Sequence, residues 1–159
     1  MVMAESTDRE PCGICRLHAD ASSLASAVIW DGPHWLLRHH LMPAPLVGWC
    51  LLDAKRHLCG PIDFTALEAS EWGTMVQRAS SLVKRVSGCD RVYAIAFGEG
   101  AQHLHLHLIP RHASDGRTRA WSVADLYRQV EAGTQPKADP HAVGAFLQEA
   151  RHLASSVLA

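Results

Sequence analysis

The chain lacks the roughly 18 consecutive apolar residues that a membrane span requires, and its mean hydropathy is −0.03. It also lacks an excess of charge of either sign. With 15 basic and 16 acidic side chains the formal net charge is −1, which supplies no long-range pull toward nucleic acid or anionic lipid. Any bound phosphate must then be held by local groups. No apolar segment opens the chain: Met1 to Pro11 carries Glu5, Asp8, Arg9 and Glu10, reads as a loose polar arm, and shows no secretory signal. The cytoplasm is the expected compartment. The five cysteines, Cys12, Cys15, Cys50, Cys59 and Cys89, are odd in number and have no secretory context, so no disulfide framework is read from them.

What is present suits one domain. Of 159 residues, 48% are hydrophobic and 19% charged, enough to bury a proper core. The compositional oddity is eleven histidines, four of which fall between His103 and His112. Val28 to Trp30 and Trp35 to His39, joined by Asp31-Gly32-Pro33, read as a hairpin. Val47 to Leu52 reads as a strand that is apolar on both faces, hence central in a sheet or covered by a helix. Thr65 with Glu68 resembles a capping box ahead of a long helix that stops at Gly88. Gly73 is a place where that helix is expected to break. Val92 to Phe97 and His103 to Ile109 read as strands, the second ended by Pro110. Ser122 with Asp125 starts a short helix, and Pro140 opens a last one running to about Val157. Short links between strands favour an antiparallel sheet, so the expected class is α+β, with one long helix packed on the sheet and a helical C-terminal extension.

Side chains alternate across a strand. His103, His105 and His107 are therefore expected on one face, roughly 6.6 Å apart at about 3.3 Å rise per residue, with Leu104, Leu106 and Leu108 on the other. Three adjacent imidazoles cannot all be charged cheaply, so some must be neutral, metal-bound or hydrogen-bonded. A neutral imidazole beside anion-stabilising groups is a competent nucleophile toward phosphorus. It needs one nitrogen free, the other held by an acceptor, and donors around the phosphoryl oxygens. Imidazoles at i, i+2 spacing are equally a usable metal face, and that reading stays open.

Cys12-Gly13-Ile14-Cys15 has metal-ligand spacing but supplies half of a tetrahedral zinc site. His18, His57, Cys59, His103 and the pair His39-His40 are the candidates for the remainder. A thioredoxin-like redox pair would need a neighbouring βαβ pattern, which is missing. Trp30, Trp35 and Trp49 read as strand residues packed in the core or stacking on a base, and Arg111 as a structural residue at the strand exit or a phosphate contact.

The run His103-Leu-His105-Leu-His107-Leu-Ile-Pro-Arg111 resembles the signature of the histidine-triad superfamily. Cys12-x-x-Cys15 and Lys55-Arg56-His57 resemble that family's zinc-binding branches. The resemblance implies a domain over residues 12–111, followed by a helical extension over 112–159. It implies a nucleotidyl hydrolase or transferase, with His105 as nucleophile, His107 near the α-phosphate and leaving group, and His103 completing the triad. Carried over in the same way, Cys12, Cys15, His57 and His103 form a structural zinc site. A nucleotide or dinucleoside polyphosphate is the implied partner, with neither nucleic acid nor membrane, and a homodimer the implied assembly. Four features depart from the family's pattern. Ala96-Phe97-Gly98 stands where an asparagine usually ends the strand before the triad, and the loop Glu99 to Gln102 is short. No carboxylate accompanies Arg38-His39-His40, where a ribose-contacting acid is usual. Val47-Gly48-Trp49 replaces the common Pro-Gly-His. A catalytically weak nucleotide-binding module is the alternative these departures leave.

Overall fold

The structure, a computed structural model, describes residues 12–159; the arm expected over 1–11 lies outside the described residues. Five strands form one antiparallel sheet in the order β1-β2-β3-β5-β4: β1 (Val28–Asp31), β2 (Trp35–His39), β3 (Cys50–Ala54), β4 (Arg91–Ile95) and β5 (His105–Arg111). Five helices accompany it: α1 (Gly13–Ala19), α2 (Ala21–Ala27), α3 (Ala66–Ser87), α4 (Val123–Glu131) and α5 (Pro140–Leu158). The α+β class with a long helix on an antiparallel sheet is therefore what the chain adopts.

The register sorts the sheet's two faces. Leu37 lies opposite Leu52, and Leu52 opposite Leu106; these residues pack with α3 and α5. One position along, Arg38, Leu51, His107 and Ile95 form a row on the other face. Leu36, Asp53 and His105 form the row beside it. The polar face is covered in part by α4, whose Val123, Leu126 and Val130 are buried against Trp49, Leu51 and Ile109. Each such buried aliphatic side chain contributes about 1.5–3 kcal/mol relative to exposure. β3 sits between β2 and β5 with all five residues buried, as its two-sided apolar character implies.

Local signals hold where they are self-contained. Thr65 accepts from the Glu68 N–H and the Glu68 side chain from the Thr65 N–H, closing the capping box. Gly88 ends α3 in the left-handed conformation, φ 66°. The break expected at Gly73 does not occur. Its cost of about 1 kcal/mol is outweighed by Met75, Ala79, Leu82 and Val83, which the unbroken helix buries. β3 starts later than expected, at Cys50 rather than Val47, because Gly48 turns the chain at φ 82° and its N–H donates to His39 Nε2. β4 spans Arg91–Ile95, so Phe97 lies beyond it.

The largest displacement is in β5, which begins at His105 and continues through Pro110 to Arg111. Pro110 pairs with Val92 in the ladder to β4. The Arg111 carbonyl accepts from Asp90 N on that side, so Pro110 presents its nitrogen to the β3 side. There β3 has already ended at Cys50, opposite Leu108, and the missing N–H costs no ladder bond.

Candidate active site

His105 and His107 share the polar face as their parity requires, with ring centroids 5.1 Å apart. Both line a cavity of about 610 Å³. Its walls are Ile14 and Leu17 of α1, Arg38 and His40 at the end of β2, the turn Phe97 to Ala101, and Ala124, Tyr127, Arg128 and Glu131 of α4. His105 Nδ1 donates to the His103 carbonyl at 2.6 Å, so in the neutral ring Nε2 carries the lone pair. His107 has the opposite tautomer. Trp49 Nε1–H donates to His107 Nδ1 at 2.9 Å, so the proton sits on Nε2. Burial, and after it the neighbouring His105, push the His107 ring down to about 3, and it is neutral across the physiological range. His40 is held neutral in the same way. Burial lowers it to about 4 although its Nδ1 donates to the Leu41 carbonyl.

His103 goes elsewhere. It precedes β5, is 1% exposed, and its Nε2 donates to the Ala54 carbonyl at 2.6 Å. Its Nδ1 lone pair faces Cys15 Sγ at 3.4 Å, and the His57 Nδ1 lies 3.5 Å from the same sulfur. The ligand atoms of Cys12, Cys15, His57 and His103 all lie within 4.8 Å of one another. Tetrahedral zinc, with bonds of about 2.0–2.3 Å, sets its ligand atoms roughly 3.3–3.8 Å apart. The Cys2His2 donor set fits that ion, and the Ala54 carbonyl supplies the outer hydrogen bond that orients a ligating imidazole. Burial and the adjacent Cys12 push the Cys15 thiol up, so it gives up its proton readily only to a cation bound beside it. The other ligand candidates are engaged apart from this cluster. His18 Nε2 donates to Asp53 Oδ2 at 2.9 Å, and the exposed Cys59 donates its N–H to Asp63. His39 is buried between the His40 carbonyl and the Gly48 N–H.

Several residues at the site carry no motif. Asp53, fully buried on β3 in the row of His105, accepts from Arg38 Nε at 2.6 Å, Arg38 Nη2 at 3.3 Å and His18 Nε2. Burial alone would push this carboxyl up. The Arg38 charge, with the His18 and Arg38 hydrogen bonds, holds it below its ordinary value. One signal was present: Asp53 is the single charge in an otherwise apolar strand, and a buried charge needs a partner. The spacing Cys12, Cys15, His18 was another, since i, i+3, i+6 places all three along one side of a helix. Trp49, expected in a strand, stands in the turn before β3 and acts through its N–H. Arg111 takes the structural option, bonding the His112 and Asp115 carbonyls and Thr118 Oγ1.

Solved structures share this architecture. A hypothetical histidine-triad nucleotide-binding protein from Sulfolobus tokodaii superposes with TM-score 0.65 at 15% identity, over 91% of this chain and 93% of its own. A Zn-bound histidine-triad family protein from Mycobacterium smegmatis gives 0.62 at 16%, over 92% and 97%. The fold is that of the histidine-triad proteins. A third example with the histidine-triad fold, from Bradyrhizobium japonicum, gives 0.60 at 24% identity, over 82% of this chain and 93% of its own. No protein-family model and no curated protein sequence matches the chain. Among the described residues no helix is long and apolar enough to cross a membrane.

Proposed function

We propose that the chain is a nucleotidyl hydrolase or transferase acting at the α-phosphate of a nucleotide derivative, such as a phosphoramidate or a dinucleoside polyphosphate. One observation carries the reading: His105 commits Nδ1–H to the His103 carbonyl while its ring lines a cavity of about 610 Å³. In this mechanism His105 Nε2 attacks the α-phosphorus, an N–P bond forms, and the bond to the leaving group breaks with its electron pair, the leaving group taking a proton from water where it needs one. The positive charge on the nucleotidyl-imidazole is drawn toward the His103 carbonyl through Nδ1–H. His107, neutral and protonated at Nε2, donates to a phosphoryl oxygen or the leaving group without first having to gain a proton. Water or another acceptor then attacks phosphorus and loses a proton to solvent, the N–P bond breaks with its electron pair returning to His105 Nε2, and the neutral ring is restored.

Cys12, Cys15, His57 and His103 hold zinc in this reading. The ion's part is structural: it ties α1, one wall of the cavity, to the turn whose carbonyl orients His105. Residues 12–111 form the catalytic domain and 112–159 a helical extension packed on it. The Sulfolobus tokodaii neighbour is described as nucleotide-binding and the Mycobacterium smegmatis neighbour as Zn-bound, in keeping with both assignments. A homodimer belongs to the same reading by resemblance, with the cytoplasm as its compartment.

Purified protein incubated with adenosine phosphoramidate and a dinucleoside polyphosphate is expected to release a mononucleotide. Rapid quenching followed by peptide mass spectrometry is expected to place a nucleotidyl group on His105. Silence across a broad nucleotide panel, with micromolar binding retained, would transfer the case to a binding module. The apolar Phe97 ring, 5.0 Å from His107 where a polar asparagine is usual, is the feature that favours that second reading. For the metal, elemental analysis is expected to find one zinc per chain. Cys12→Ala, Cys15→Ala and His57→Ala should each bring it close to zero, with His105→Ala leaving it intact. Loss of zinc from the His105→Ala variant would put the ion at the nucleophile and contradict the structural assignment.

A further inference from the structure

α4 lies outside the segment that resembles the histidine-triad family, yet it supplies Ala124, Tyr127, Arg128 and Glu131 to the cavity wall. Its own fastening is apolar. Val123, Leu126 and Val130 recur at i, i+3 and i+7 and are buried against Trp49, Leu51 and Ile109. Tyr127 is thereby held in a set place beside the imidazoles.

Three rings from three separate elements meet His107 edge to face. Phe97 lies 5.0 Å away at 72°, Trp49 5.9 Å at 82°, and Tyr127 6.2 Å at 84°. Tyr127 also packs on Trp49 at 5.9 Å and on His40 at 5.4 Å. It therefore braces the indole whose N–H meets His107 Nδ1. A charged His107 would turn an Nδ1–H against the Trp49 N–H, two donors with no acceptor between them. The enclosure can persist only around the neutral ring.

We propose that Tyr127 is a positioning residue: its ring completes an aromatic enclosure, with Trp49 and Phe97, that fixes His107 in the tautomer presenting Nε2–H to the cavity. The proposal rests on the roles given above to His105 and His107. It makes the C-terminal extension part of the site, because α4 then sets the donor beside the nucleophile. The charged and titratable groups facing His107 are His105 on its own strand, Asp53 on β3, Arg38 on β2, His40 just after it, and Tyr127 on α4; Arg128 and Glu131 of α4 line the same cavity. Arg38 is matched by Asp53, which leaves removal of water from the ring as the largest influence on it.

The test is long-range proton–nitrogen NMR of the full chain, labelled with 15N in histidine, read from pH 4 to 8 (about the range the fold should tolerate). Wild type and Tyr127→Phe are expected to keep His107 neutral with the proton on Nε2 throughout. Tyr127→Ala is expected to bring protonation of His107 into that range, as the ring regains water. In turnover assays the same variant should lose about tenfold in kcat with KM changed less than about threefold. If Tyr127→Ala does not fold, Tyr127→Gln, polar and of similar size, admits water without leaving a void and is read in its place. A folded variant whose His107 stays neutral in the wild-type tautomer from pH 4 to 8 overturns the proposal. A shifted midpoint in a protein that turns over no nucleotide leaves the enclosure standing and removes the enzymatic reading instead.

Discussion

His105→Ala is expected to abolish nucleotide turnover, by at least about 10⁴-fold, while leaving the fold and nucleotide binding in place. The size follows from what the side chain does. Loss of a nucleophile removes the covalent route altogether, and what remains is the acceleration from donors and binding alone. The fold is expected to tolerate the change because His105 is only half buried and its one hydrogen bond runs to a carbonyl at the mouth of β5. Calorimetry should therefore return nucleotide affinity within a few-fold of wild type, and thermal melts should be nearly unchanged. Turnover that survives at a tenth of the wild-type rate would exclude His105 as the nucleophile, whatever the other histidines do.

The second large effect is on stability. Asp53→Ala is expected to cost about 3–5 kcal/mol, because it leaves the Arg38 guanidinium buried without its counter-charge. Arg38 is 4% exposed and Asp53 is wholly enclosed, so water cannot take over the carboxylate's role. For a chain of this size each kcal/mol moves the midpoint by about 2–4 °C, so a fall of about 10 °C is expected in thermal melts. Asp53→Asn preserves shape and some hydrogen bonding but not charge, and should recover only part of the loss. The pH dependence has a definite sign. The folded carboxyl lies below its ordinary value of 3.8. Its stabilisation is therefore complete above that value and fades as pH falls through the lower, folded one. Urea titrations should find the full gap between wild type and Asp53→Ala at pH 7, closing below about pH 4. A gap of the same size at pH 7 and pH 3 would mean that the loss comes from packing, not from charge.

Asp53 also explains why part of the site was illegible in the sequence. A lone acid in an apolar strand announces that a partner exists, but not which one. Arg38 meets it because β2 and β3 pair in the register that sets Leu36 opposite Asp53 and Arg38 opposite Leu51. His18 meets it because α1 docks beside β3. The fate of His103 is similar. Strand alternation assigned it to the face of His105 and His107, but alternation holds only within a strand, and β5 starts two residues later. Freed from the ladder, the His103 ring turns to Cys15 and His57, and its carbonyl is left to hold His105. Tyr127 carried no signal at all; in α4 it is one more apolar position of an amphipathic helix.

The elements that could be read early are those whose cause is local. The hairpin rests on the turn Asp31-Gly32-Pro33 between two short strands, the start of α3 on Thr65 and Glu68, its stop on Gly88, and the start of α5 on Pro140. The histidine ladder belongs with them, since parity alone puts His105 and His107 on one face. Where α3 ignores Gly73, the local preference is worth about 1 kcal/mol and is outweighed by burial against partners distant in the chain, and β5 runs through Pro110 because β3 has already ended on that side. By itself, then, the sequence determined the sheet's alternation, the helix ends and the chemical kind of each site residue, because these depend on neighbours within a few positions. The tertiary structure decided which nitrogen of each histidine is free, which charges pair and which rings are dry. Those depend on contacts across strands and helices, and no spacing along the chain encodes them.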